Sequence, residues 1–216
     1  MFDLDGTLIE TAPEIADAVN YTLHEIGAAG VTQQQVNDWI GHGTQELLIQ
    51  ALAFTLLVND ETIREWPDLP AISATFNRHY QNCCGTRSHL YPKVRETLEA
   101  LRELGVKLAV VTNKESRFTY TVLDTHQLSS CFDVVICGDT LPTKKPDPAG
   151  IAYCLEAFNT SKDRSLFVGD SSIDIATARN AGVPVWALPY GYNMGQAIET
   201  AQPDRVIADI SAVLAA

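Results

Sequence analysis

Positive charge is what this chain has least of. Its 216 residues carry 15 Lys and Arg against 27 Asp and Glu, a formal net charge of −12 at pH 7, and the basic residues form no run. A polyanionic backbone would be repelled by such a molecule, so nucleic acid is not an expected partner. Cysteines are also scarce: Cys83, Cys84, Cys131, Cys137 and Cys154 are odd in number and show no C-x-x-C spacing. That pattern indicates neither a thiolate zinc site nor a disulfide framework, and the five read as thiols in a reducing compartment. Long apolar runs are missing. The longest, ALAFTLLV at 51 to 58, falls short of the ~20 residues that cross a bilayer, and no signal-peptide pattern precedes Asp3. A cytoplasmic protein without membrane contact is expected. No internal repeat or low-complexity tract is visible.

What is present is a globular composition, 46% apolar, sufficient for a buried core. From residue 88 onward short β-rich runs alternate with helical patterns. PKVRETLEALRELG predicts a helix between Pro92 and Gly105, and VKLAVVT a buried strand at 106–112. A helix near 116–126, VVIC at 134–137, a helix from Pro148 to about Phe158, SLFVG at 165–169, a helix at 172–181 and PVWAL at 184–188 continue the series. Such alternation implies βαβ units, hence an α/β fold with a parallel sheet covered by helices. Residues 11–84 differ. Thr11 and Pro13 start a first helix, Thr32 a second and, after the turn Gly41-His42-Gly43, Thr44 a third; Pro67 and Pro70 interrupt the pattern before ISATFNRHY resumes it. This is a helical insertion placed after the first strand.

Ligands in open parallel sheets bind beyond the carboxyl ends of the strands. Asp3, Asp5, Gly6 and Thr7 follow the first strand, Thr112 and Asn113 the second, and Gly169, Asp170, Ser171, Ser172 and Asp174 a later one, with TKKPDP in an intervening loop. Asp3 and Asp5 alternate by two, so in extended backbone they share a face. Carboxylates this close need a shared proton or a cation. A hard cation, Mg²⁺, accepts oxygen ligands and leaves room for a phosphate oxygen; helix capping is the alternative role for Ser171, Ser172 or Asp174.

DLDGTL, a Thr closing a second strand, a Lys directly before Pro, and GDSSID resemble, in order, the four motifs of the haloacid-dehalogenase (HAD) phosphatase superfamily. The resemblance implies a Rossmannoid catalytic core formed by 1–10 and 85–216, with a helical cap at 11–84. It implies that Asp3 is the nucleophile, forming an aspartyl-phosphate, and Asp5 the general acid and base. Thr112, with the Asn113 amide, would hold phosphate oxygens, and Lys145 would balance the phosphoryl charge. Mg²⁺ would be bound by Asp3, the Asp5 carbonyl and Asp170, with Asp174 orienting its waters. Lys144, which does not abut the proline, reads as solvated. Asp rather than Tyr at position 5 speaks for a phosphatase over a dehalogenase.

DLDGTLIETAP, VVTNK, CGDTLPTKKPDP and PYGYNMG resemble the phosphoglycolate phosphatase branch, which implies hydrolysis of 2-phosphoglycolate, a small phosphorylated metabolite, by a monomer or homodimer. That substrate carries a carboxylate, yet residues 11–80 contain no Lys and only Arg64 and Arg78. Gly41, His42, Gly43 and Thr44 are the cap residues best placed to close over its non-phosphate end; an ordinary helix–helix connection is the alternative. A sugar-phosphate phosphatase, a phosphomutase of the β-phosphoglucomutase type and, more distantly, a phospho-accepting receiver module are the competing functions. Only Met1 and Phe2 precede Asp3, so the first strand is expected to be a stub supported by its neighbours, or the start of the chain to be truncated.

Overall fold

Apolar runs too short to alternate predict strands buried on both faces, and these runs form the centre of the molecule. In the computed structural model, which describes Met1–Ala216, β1 (Ile9–Glu10) leads into five helices, α1 (Ala12–Glu25), α2 (Gln33–Trp39), α3 (Thr44–Leu56), α4 (Asp60–Arg64) and α5 (Leu69–Cys83). The chain then runs through β2 (His89–Leu90), α6 (Val94–Glu103), β3 (Ala109–Val111), α7 (Ser116–Thr125), β4 (Val134–Ile136), α8 (Ala149–Ala157), β5 (Phe167–Gly169), α9 (Ser172–Ala181), β6 (Val185–Ala187) and β7 (Arg205–Val206). This is the expected α/β fold. No helix is long and apolar enough to cross a membrane.

β3 pairs in parallel with β4, and β5 with β6 and β6 with β7. Met1–Asp3 joins the two sets. Phe2 bridges Val110 on one side and Val168 on the other, its N–H donating to Ala109 O at 2.9 Å while the Asp3 N–H donates to Val168 O at 2.9 Å. The order is therefore β4, β3, Met1–Asp3, β5, β6, β7, with the short first segment at the centre, hydrogen-bonded on both sides. Alternation of side chains then divides the core. Phe2, Val110 and Val168 face a 42-residue cluster that continues into α1, α3 and α5 through Leu23, Leu48 and Phe76. Ala109, Val111 and Phe167 face a cluster of 13 on the opposite side, with Ile151, Ile175 and Ala178 from α8 and α9.

Local signals explain several element ends. Thr32 with Gln35, and Ser171 with Asp174, form capping boxes at the starts of α2 and α9, and Gly182, at φ 72°, ends α9 in the left-handed region. Two expectations need correction. Pro70 does not interrupt a helix but lies in the first turn of α5, where a missing N–H costs nothing. α6 begins at Val94, after Lys93 at φ 66°, rather than at Pro92. α4 and the antiparallel pair of β1 with β2, Ile9 opposite Leu90 and Glu10 opposite His89, are too short to leave a period in the sequence. The β1–β2 pair is where the chain leaves for the helical block and returns from it.

Candidate active site

Asp3 ends the central segment, and α9 begins after β5, so their carboxylates converge at one sheet edge. Oxygens of Asp3, Asp170 and Asp174 lie within 4.8 Å of one another, and all three residues are buried. Lys145, itself buried, reaches between them, with Nζ 2.7 Å from Asp3 Oδ1 and 2.6 Å from Asp174 Oδ1. Only the contact to Asp174 is aligned as a hydrogen bond, which leaves Asp3 Oδ1 buried with no hydrogen-bond donor. Burial, then the neighbouring Asp174 anion, push the Asp3 carboxyl up to about 7 against the pull of Lys145. Burial opposes the charge on Lys145, but Asp174 and Asp3 more than offset it and raise its pKa.

Asp170 is held from two sides. Thr7 Oγ1 donates to its Oδ1 at 2.5 Å and the Tyr192 N–H to its Oδ2 at 2.6 Å. A Cβ at Gly6, φ +83°, would stand 2.2 Å from Oδ2, and one at Gly191 2.1 Å from it, so both positions require glycine. Burial and the Asp174 and Asp3 anions raise the Asp170 pKa well above the carboxylate range. Asp174 has a different task. Its Oδ2 accepts from the N–H groups of Asp170 and Ser171 and from Ser171 Oγ, so it is both the capping acid of α9 and the partner of Lys145. Three carboxylates against one ammonium leave an excess of negative charge, and every free donor atom is a hard oxygen. With three buried carboxylates whose oxygens lie within 4.8 Å of one another, the set fits a hard divalent cation.

The side chain of Asp5 lies apart from this trio. Thr11 Oγ1 donates to its Oδ1 at 2.6 Å, and Lys114 Nζ lies 3.0 and 3.3 Å from its two oxygens. Lys114 also donates to Tyr80 Oη, from the last turns of α5, and its side chain is 1% exposed. Burial disfavours its charge, and the Asp5 anion prevails to raise its pKa. Thr112 Oγ1 accepts from the Lys114 N–H at 3.2 Å. Asn113 spends both amide protons on carbonyls, Gly41 O at 2.9 Å and Lys145 O at 3.0 Å, and its Oδ1 is buried without a partner.

The α2–α3 turn and the start of α3 cover these groups. A cavity of about 30 Å³ is walled by Asp3, Asp5, Thr112, Asn113, Lys114 and Asp170 below and by Ile40, Gly41, Gly43, Thr44 and Leu47 above. Gly41, Gly43 and Thr44 thus meet the predicted site residues across it, whereas His42 is not on its wall. His42 contributes its carbonyl instead, which accepts from Lys144 Nζ at 2.8 Å; Lys144 is exposed, as expected, and also reaches the 41–43 turn. Thr44 Oγ1 lies 2.7 Å from Glu115. Lys114, Tyr80, Thr7, Gly191 and Tyr192 carry no role in the motif spacing. VVTNK and PYGYNMG contain three of them, and a buried lysine beside Thr112 was the available signal for one.

Comparison with known proteins agrees with this geometry. Residues 1–188 match the family described as haloacid dehalogenase-like hydrolase. A phosphoglycolate phosphatase of Vibrio cholerae is 42% identical over 214 residues, covering 99% of this chain and 93% of that protein. One from Pseudomonas putida is 39% identical over 216 residues, covering 99% and 77%. The crystal structure of a predicted phosphoglycolate phosphatase from Haemophilus somnus 129PT superposes with a TM-score of 0.92 at 34% identity, covering 99% of this chain and 95% of that one.

Proposed function

The chain belongs to the haloacid dehalogenase-like hydrolase family, and we propose that it hydrolyses 2-phosphoglycolate to glycolate and phosphate through an aspartyl-phosphate on Asp3. One observation carries this reading: Asp3, at the end of the central segment, is buried beside Asp170 and Asp174, with Lys145 Nζ 2.7 Å from its Oδ1 to balance charge. A carboxylate oxygen of Asp3 attacks phosphorus, the ester P–O bond breaks, and Asp5 gives its proton to the departing glycolate oxygen. Water then attacks the phosphorus of the aspartyl-phosphate, Asp5 takes the proton back, and the P–O bond to Asp3 breaks to release phosphate. Thr112, the Asn113 N–H and Lys145 hold the phosphoryl oxygens, and Thr11 and Lys114 orient the Asp5 carboxyl.

Asp3, the Asp5 carbonyl and Asp170 would hold Mg²⁺, with Asp174 orienting its waters; bound there, the cation supplies positive charge against the phosphoryl oxygens. Residues 1–10 and 85–216 form the catalytic core and 11–84 the cap, with Gly41, Gly43 and Thr44 closing on the leaving group and His42 fixing the turn through its carbonyl. The relatives named phosphoglycolate phosphatase, 42% and 39% identical over nearly the whole chain, support phosphoglycolate over the sugar-phosphate and phosphomutase alternatives. Phosphate release from phosphoglycolate, sugar phosphates and nucleotides with Mg²⁺ tests the proposal. Asp3→Asn is expected to lower kcat by about 10⁴-fold or more; residual activity within tenfold of the native enzyme would remove Asp3 as nucleophile.

A further inference from the structure

We propose that Lys114 is the residue that selects a carboxylate on the leaving group, and so determines the substrate class of the proposed phosphatase site as small phosphate esters carrying a carboxylate one methylene from the ester oxygen. The inference rests on the phosphatase reading above. It begins from the cations of the cap, all of which are committed elsewhere. Arg64 pairs with Glu46 at 2.6 Å and Arg78 with Glu25 at 2.6 Å. At the cap boundary, Lys144 donates to His42 O, and Lys145 is engaged by Asp3 and Asp174 on the phosphoryl side. Lys114 is the one cation among the residues that line the cavity; Asp5 and Tyr80 already engage its ammonium, which leaves one of its three N–H bonds for a ligand.

Its position relative to Asp5 supplies the selectivity. An ester oxygen and a carboxylate separated by one methylene lie about 3 Å apart, and Lys114 Nζ is 3.0 Å from Asp5 Oδ1. An ester oxygen within hydrogen-bond reach of Asp5 therefore brings such a carboxylate to the ammonium. The lysine is fixed for this task. Tyr80 Oη accepts from it and the Tyr80 ring packs 4.9 Å from Nζ, so little side-chain entropy remains to be lost on binding. Apolar Ile15, Ile40 and Leu47 share the cavity wall and weaken competition from water, which makes a charge-assisted contact here stronger than one at the surface. Neutral and longer leaving groups gain nothing from this cation.

The test compares phosphoglycolate with 2-hydroxyethyl phosphate, an ester of equal length without the carboxylate, in the full-length native enzyme and in Lys114→Met and Lys114→Gln. Both substrates lose some rate because Asp5 loses its partner. The ratio of kcat/KM for phosphoglycolate over 2-hydroxyethyl phosphate is expected to fall by ~30-fold or more, chiefly through KM, with Lys114→Arg recovering part of it. In the native enzyme glycolate is expected to inhibit competitively and ethylene glycol not to, a measurement independent of whether the variants fold. An equal loss on both esters, or equal inhibition by both alcohols, overturns the inference and leaves Lys114 as a group that only positions Asp5. A native enzyme that releases phosphate from both esters without preferring phosphoglycolate overturns the substrate assignment as well, and the two failures are told apart by that ratio in the native enzyme alone.

Discussion

At the scale of single residues, the site is a problem of crowded carboxylates. Asp3 is pushed up to about 7 from 3.8, by burial and then by Asp174. The folded protein thus keeps a proton on Asp3 that the unfolded chain gives up above about pH 4, and this group's contribution to the stability of the metal-free protein falls as pH rises from about 4 through about 7. A divalent cation must displace that proton, so the rise in Tm on adding saturating Mg²⁺ is expected to be larger at about pH 8 than at about pH 6. Thermal unfolding at both pH values, with and without Mg²⁺, checks this, and a pH-independent rise would argue against Asp3 as a ligand. Gly191 offers a second test. Its missing Cβ leaves room for Asp170, which a methyl group would meet at 2.1 Å. Gly191→Ala is expected to lower activity about 10²-fold and raise the Mg²⁺ concentration needed, with the circular dichroism spectrum unchanged. Normal Mg²⁺ dependence in this variant would separate the glycine from the metal-binding acid.

At the scale of elements, one side chain ties the two crossings between helical block and core. Glu14, in the first turn of α1, is fully buried, and its Oε2 accepts from the N–H groups of Gly85 and Ser88 at 2.9 and 3.1 Å. The entry into α1 and the return after α5 are joined by this carboxylate and, a few residues away, by the β1–β2 pair. Burial raises the Glu14 pKa against the opposing Gly85 N–H. Glu14→Ala strands both donors and is expected to cost about 2–4 kcal/mol in urea unfolding and to expose the 85–88 segment to proteolysis, whereas Glu14→Gln, which keeps an acceptor, should lose much less. Equal losses in the two variants would assign the effect to packing. α9 shows the same economy, because Asp174 caps the helix with one oxygen and meets Lys145 with the other.

At the scale of the whole molecule, the charge of −12 opposes the approach of an anionic ester. Added salt screens that repulsion, so kcat/KM for phosphoglycolate is expected to rise about twofold or more between low and physiological ionic strength at fixed Mg²⁺; a fall would mean that the cations at the mouth dominate the field. The sequence by itself determined the alternation of strands and helices, the helical block at 11–84 and the order in which Asp3, Asp5, Thr112, Lys145, Asp170 and Asp174 reach one sheet edge. Those features are local: apolar periodicity, capping residues and the parity of extended backbone depend on neighbours a few positions away. Only the tertiary structure decided which charges meet. Lys145 reaches Asp3 and Asp174, and Lys114 reaches Asp5 from 109 positions away, because strand order places β3 beside Met1–Asp3. The same register brings Tyr192 to Asp170, Lys144 to the His42 carbonyl and Tyr80 to Lys114. Contacts set by packing between distant segments leave no spacing to read, which is why VVTNK alone does not show that Lys114 meets Asp5 and lines the cavity.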